Sequence, residues 1–136
     1  MSELKILFLI GMIFCHIVDD YYLQGWLASA KQKSWWKQNA PNPLYKYDYL
    51  MALFMHSFSW SFMVMLLPTY YVFNSPLTTD FGLVAVQVVF VFVLNLIIHF
   101  ETDNAKANKG KINLIQDQMI HMVQIFATWW YLVIIR

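Results

Sequence analysis

Four long apolar stretches, separated by polar connections, set the pattern of the chain. A hydrocarbon core needs about 20 apolar residues per crossing helix. The first stretch is apolar from Ile6 to Val18, which is too short alone. The predicted helix therefore starts near Leu4 and continues through Asp19 and Asp20 to Ala28. Further spans are predicted over 49–71, 81–100 and 112–135. A cleaved signal sequence is the competing reading of the first stretch. No small-x-small site closes it, whereas two aspartates do, which argues against cleavage. The expectation is an all-α polytopic membrane protein, a four-helix bundle forming one membrane domain over 1–136.

The polar residues inside these spans are not scattered. His16, Asp20 and Gln24 recur every four residues and share a helical face. Asn95, His99, Asp103 and Lys106 make a similar stripe at the end of the third span. Asp117, His121, Gln124 and Thr128 make another in the fourth, and His56 lies in the second. His16 and His99 lie near the ends of their apolar runs. His56 is seven positions past Tyr49 and His121 seven past Leu114, or about 10 Å in a helix. All four histidines of the chain thus fall at one depth, one per helix.

Composition agrees with the pattern. The chain is 60% hydrophobic and 12% charged, with net charge +1. A soluble domain is about 45–50% apolar and about 25% charged. A soluble monomer, a disordered chain and a nucleic-acid binder are all disfavoured. Cys15 is the single cysteine, so no intramolecular disulfide framework exists. Lys31, Lys33, Lys37 and Lys46 follow the first span, and Lys106, Lys109 and Lys111 follow the third. The connection around Asn74 to Asp80 has no Lys or Arg. By the positive-inside rule, loops 29–48 and 101–111 are cytoplasmic and both termini lie outside. Loop 29–48 mixes lysines with Trp35, Trp36 and several tyrosines. It reads either as a segment lying in the interface or as a solvated loop with an aromatic belt.

Ionisable groups inside a span are costly and tend to mark function. A lone intramembrane histidine is commonly a hydrogen-bonded structural group. Seven such residues, with the four histidines at one depth, change that balance: His16, Asp20, His56, His99, Asp103, Asp117 and His121 form a candidate metal set. Imidazole and carboxylate suit Zn, Mn, Fe, Co or Ni, and the set is large enough for one or two divalent ions. Zn is the first choice, with Mn or Fe as alternatives. Asp19 competes with Asp20 for the inward face, and Asp20 is preferred because it aligns with Gln24. Gln24, Asn95 and Gln118 would orient the ligands. Cys15 points away, and Met63, Met65, Met119 and Met122 read as filler. The order His-x-x-x-Asp then His occurs twice, a weak internal echo.

The ordered positions His16-x-x-x-Asp20-x-x-x-Gln24, His56, His99-x-x-x-Asp103-x-x-Lys106 and Asp117-Gln118-x-x-His121 resemble a family of small bacterial and phage membrane proteins, domain of unknown function 3307. The likeness spans nearly the whole chain. Tyr21 and the long Trp- and Lys-rich first loop depart from the family pattern. The chain is also distantly similar to membrane-bound metal-dependent hydrolases. The resemblance implies a topology and the polar positions, in a bacterial inner membrane.

Three functions compete. In a metal-dependent hydrolase, His56, Asp117 and Lys106 would be catalytic, Lys106 by holding an anionic group. Its substrate would be a lipid head group or an amphipathic cytosolic molecule. No phosphate-binding glycine loop or serine elbow is present. A proton or ion transporter would also place Asp and His in the membrane, but Leu66, Leu67, Val84, Val88, Val133 and Ile134 offer no polar path through the other half. A membrane interaction protein would carry a structural metal and dock through the aromatic first loop. Besides the bilayer, a second copy of the chain is compatible as a partner, and nucleic acid is not expected.

Overall fold

The computed structural model describes residues 3–135; residues 1, 2 and 136 of the domain read over 1–136 lie outside the described residues. The fold is all-helical, with no strand among the described residues. The helices are α1 (Glu3–Val18), α2 (Leu27–Ala30), α3 (Lys33–Asn39), α4 (Asp48–Asn74), α5 (Phe81–Ala107) and α6 (Leu114–Trp129). π-helical turns continue α1 over Asp19–Leu23 and α6 over Trp130–Ile135. Four segments are long and apolar enough to cross a membrane: Glu3–Leu23, Pro43–Asn74, Phe81–Ala107 and Leu114–Ile135. That is the signature of an integral membrane protein.

Three boundaries differ from the sequence expectation. The first span does not run unbroken to Ala28. It widens into a π turn at Asp19 and breaks at Gly25, whose φ of +48° lies in the left-handed region that glycine tolerates. The second helix reaches Asn74 with Pro68 inside it. The third helix reaches Ala107 rather than Phe100, so the loop expected over 101–111 is helical for most of its length. Its polar end, Glu101 to Lys106, stays helical because Thr102 and Asp103 are buried against the bundle. The turn that follows passes through Gly110, and α6 restarts at a capping box in which Asn113 and Gln116 each bond the other's backbone N–H.

The bundle is apolar at one end and polar at the other. Met12, Trp60, Val64, Val84, Ile125, Leu132 and Val133 are buried in one apolar cluster. His16, Asp19, His56, Asn95, His99, Asp103, Asp117 and His121 are buried in the remainder. Large apolar side chains such as Leu7, Phe14, Phe54, Phe62, Phe90 and Val123 point outward. Outward hydrophobes around a polar interior suit a lipid environment, where burying apolar groups from lipid brings little gain. Trp129 Nε1 donates to the Lys5 carbonyl at 2.7 Å, which ties the start of α1 to the end of α6.

The first connection contains the short helix α3, whose residues are not buried. It folds over the polar end of the bundle. Trp36 Nε1 donates to the Ala30 carbonyl at 2.6 Å. Asn108, at the end of α5, receives the Lys33 N–H at 2.7 Å and donates to the Lys31 carbonyl at 3.0 Å. Trp26, Trp35 and Trp36 meet edge to face, with centroids 5.0 to 6.1 Å apart.

Candidate metal centre

Each of the four long helical segments supplies one histidine. His99 and His121 stack with centroids 4.2 Å apart, His56 meets His99 at 5.1 Å, and His16 meets His121 at 5.7 Å. Asp20, Asp103 and Asp117 lie among them. Two groups bring three ligand atoms within 4.8 Å of one another: Asp20, His56 and His99, and His99, Asp103 and His121. His99 belongs to both. His16 and Asp117 belong to neither, although both were expected as ligands.

Those two are engaged otherwise. His16 Nδ1 receives the Trp60 indole N–H at 2.8 Å, because an indole can only donate. Asp117 is hydrogen-bonded to Lys106 and to Gln118 Nε2, the latter at 3.1 Å. Lys106 is therefore already paired, with Asp103 also 3.9 Å away. Lys106, expected to hold an anionic group, lines the entry cavity beside Gln24 and Gln118 while paired in this way.

The orienting residues divide in the same way. Gln118 Nε2 also reaches Asp20 at 3.3 Å, and Gln24 Nε2 reaches His56 Nε2 at 3.1 Å. Asn95 makes no hydrogen bond to a histidine. It sits one layer deeper, donating to Thr128 at 2.8 Å and receiving Gln124 Nε2 at 3.3 Å on its own Oδ1. That bond fixes Gln124 with its Oε1 toward His121 Nδ1, 3.3 Å away. An amide oxygen only accepts, so His121 carries a proton on Nδ1 and turns Nε2 inward. The inward Nε2 faces Asp103 at 3.4 Å and Asp117 at 3.6 Å.

Four participating residues escaped the sequence reading. Asp19 was set aside in favour of Asp20, yet both are turned inward. A π turn spreads consecutive residues over a wider turn than an α-helix does, and Asp19 is 1% exposed. Its Oδ1 receives the Ser59 hydroxyl at 2.5 Å, and its Oδ2 lies 3.7 Å from His56 Nδ1. That separation is too long for a hydrogen bond, so Asp19 acts on His56 through its negative charge. Ser59 and Trp60 sit three and four residues past His56, so helical spacing could have flagged them. Trp60 also stacks on His99 at 4.3 Å. Lys31 carried no such signal. It comes from the first connection, is buried, and donates to Asp103 Oδ2 at 2.5 Å.

The centre holds more polar atoms than its hydrogen bonds can satisfy. His56 Nε2 has one lone pair or one hydrogen. It faces Gln24 Nε2 at 3.1 Å, His99 Nε2 at 3.2 Å, and Asp20 Oδ1 and Asp103 Oδ2 both at 3.3 Å. Asp19 Oδ2, Asp20 Oδ1, His99 Nδ1, Asp117 Oδ1 and His121 Nε2 are buried without a hydrogen-bond partner. One such atom costs about 1–3 kcal/mol. Several in one cluster fit a cation held among them. An open cavity of ≈ 410 Å³, lined by Asp20, Gln24, Lys31, Lys106 and Gln118 among others, leads to this cluster from the polar end.

No family model, no curated protein and no solved structure matches the chain.

Proposed function

We propose that the chain is an intramembrane metal-dependent enzyme, a hydrolase working at the cytoplasmic membrane face through one divalent transition metal ion. The observation that carries this reading is the meeting of inward imidazole nitrogens with carboxylate oxygens at 3.3 to 3.4 Å. His56 Nε2 has at most one hydrogen to share among two carboxylate oxygens and two nitrogens, and a shared cation would satisfy the contacts that one hydrogen leaves unmet.

Charge balance favours one ion over two. Four carboxylates (Asp19, Asp20, Asp103 and Asp117) face two ammonium groups (Lys31 and Lys106). With neutral histidines, four minus two leaves two negative charges, which one divalent ion neutralises. Buried net charge is otherwise strongly disfavoured. Both triads offer two imidazoles and one carboxylate, a set that leaves a position open for water. Zinc fits it, and Fe or Mn would also be held.

When bound, such an ion lowers the pKa of a coordinated water and polarises an ester, amide or phosphoryl oxygen. The protein's part is to hold the ligands and admit the substrate. His99 anchors either triad. Gln124 orients His121, and Asp19 places a negative charge beside His56. Gln24 and Gln118 line the entry and are placed to bind the polar end of an amphipathic molecule or lipid head group. The buried apolar cluster of Met12, Trp60, Val64, Ile125 and Leu132 closes the other end, which supports hydrolysis over transport. The lysine distribution supports a cytoplasmic polar end.

The test is metal content by mass spectrometry on protein purified in detergent. Wild type is expected to carry about one transition metal per chain. His99→Ala should lose it, because both triads share His99. Asp117→Asn should keep it, because Asp117 pairs with Lys106. A wild-type protein that stays metal-free after reconstitution with Zn, Mn and Fe would overturn the reading, and protonated histidines in a relay would then supply the charge.

A further inference from the structure

A second pocket lies outside the His/Asp centre, between α3 and the start of α4. Its volume is ≈ 500 Å³, within the range of small-molecule sites, and Lys33, Lys37 and Lys46 stand around Trp36 and Tyr45 in its lining. No acidic residue lines it. Among the described residues, none of these three lysines pairs with a carboxylate, whereas Lys31, Lys106 and Lys109 all do.

The floor is built rather than incidental. Trp36 and Tyr45 stack with centroids 6.4 Å apart and planes 28° from parallel. The indole N–H of Trp36 is held by the Ala30 carbonyl at 2.6 Å, so the ring cannot swing away. Asn42 accepts the Leu44 N–H at 2.9 Å and fixes the turn between Pro41 and Pro43. Lys33 and Lys46 lie over Tyr49 and Tyr47, at 5.9 and 5.1 Å from the ring centroids, contacts at the pocket margin that keep both charges beside it. The pocket adjoins the first residues of the span Pro43–Asn74, the level at which a bilayer presents its head groups.

We infer that this pocket binds the phosphodiester head group of an anionic phospholipid. Three lysines supply the charge, the aromatic pair supplies an amphipathic seat of the kind found at membrane interfaces, and the adjoining span supplies the depth. The inference rests on the chain spanning a membrane and does not depend on the metal centre.

Native mass spectrometry of the full chain, released from uncharged detergent with phosphatidylglycerol or phosphatidylcholine, tests it. Wild type should retain one phosphatidylglycerol at least tenfold more strongly than phosphatidylcholine. The triple variant Lys33→Gln/Lys37→Gln/Lys46→Gln should weaken phosphatidylglycerol roughly 100-fold at low salt, with metal content unchanged. Lys46→Gln alone, read the same way, serves if the triple variant does not fold. Equal retention of the two lipids, or equal retention by wild type and variant, overturns the proposal. Full displacement of the lipid by an equal concentration of inorganic phosphate also overturns it, and marks a site for free phosphate.

Discussion

Asp19 is the residue whose role the structure changes most. It lies 3.7 Å from His56 Nδ1 while Ser59 holds its other oxygen, so it acts on His56 through its charge. Asp19→Asn keeps the shape and the Ser59 contact but removes the negative charge beside His56. Metal affinity, measured by competition with a chelator, should fall about 10–100-fold while the thermal midpoint barely moves. An unchanged affinity would reduce Asp19 to an anchor for Ser59. His16 offers the contrast. Its sequence position matches the other histidines, but the Trp60 indole occupies Nδ1. Counting histidines located the centre, and only their hydrogen-bond partners separated ligand from support.

Among the elements, the end of α1 decides the site. An α-helical continuation past Val18 would present Asp19 or Asp20 to the bundle, and the π turn presents both. The chain then reverses at Gly25, with φ +48°, and brings Lys31 back over Asp103. Gly25→Ala forces a side chain into the left-handed region, at about 1–2 kcal/mol. Denaturation in detergent should show that loss, and metal affinity should fall with it because Lys31 shifts. Stability reduced with metal affinity intact would mean that the turn does not place Lys31. The helix periods, and thus the stripes on α5 and α6, were legible in the sequence. The π turn was not, because its widening depends on what both aspartates meet across the bundle.

For the molecule as a whole, the polar end is one face. Lys31 and Asp103 meet there, and so do Lys106 and Asp117. The lysine-rich connections lie at that end and the connection around Asn74 to Asp80 joins the opposite helix ends. In a Cys15→Ser background, cysteines at Ser34 and Lys109 should react with an impermeant maleimide only in inside-out vesicles. A cysteine at Thr79 should react only in right-side-out cells. The reverse pattern would place the centre at the outer face and require an external substrate.

The sequence by itself determined that the chain is all-helical with four segments able to cross a membrane, and that its ionisable residues concentrate toward one end. Those features are local: hydrophobic run length fixes the helices, and spacing by three and four fixes which residues share a face. The tertiary structure alone decided that Lys31 closes over Asp103 from a connection 72 positions away, that Gln124 reads its orientation from Asn95, and that Asp117 is paired with Lys106 rather than free. Each depends on which helices are neighbours and on how far a connection folds back. Such contacts leave no periodic trace in the chain, because the partners lie on different elements and meet only when the bundle packs.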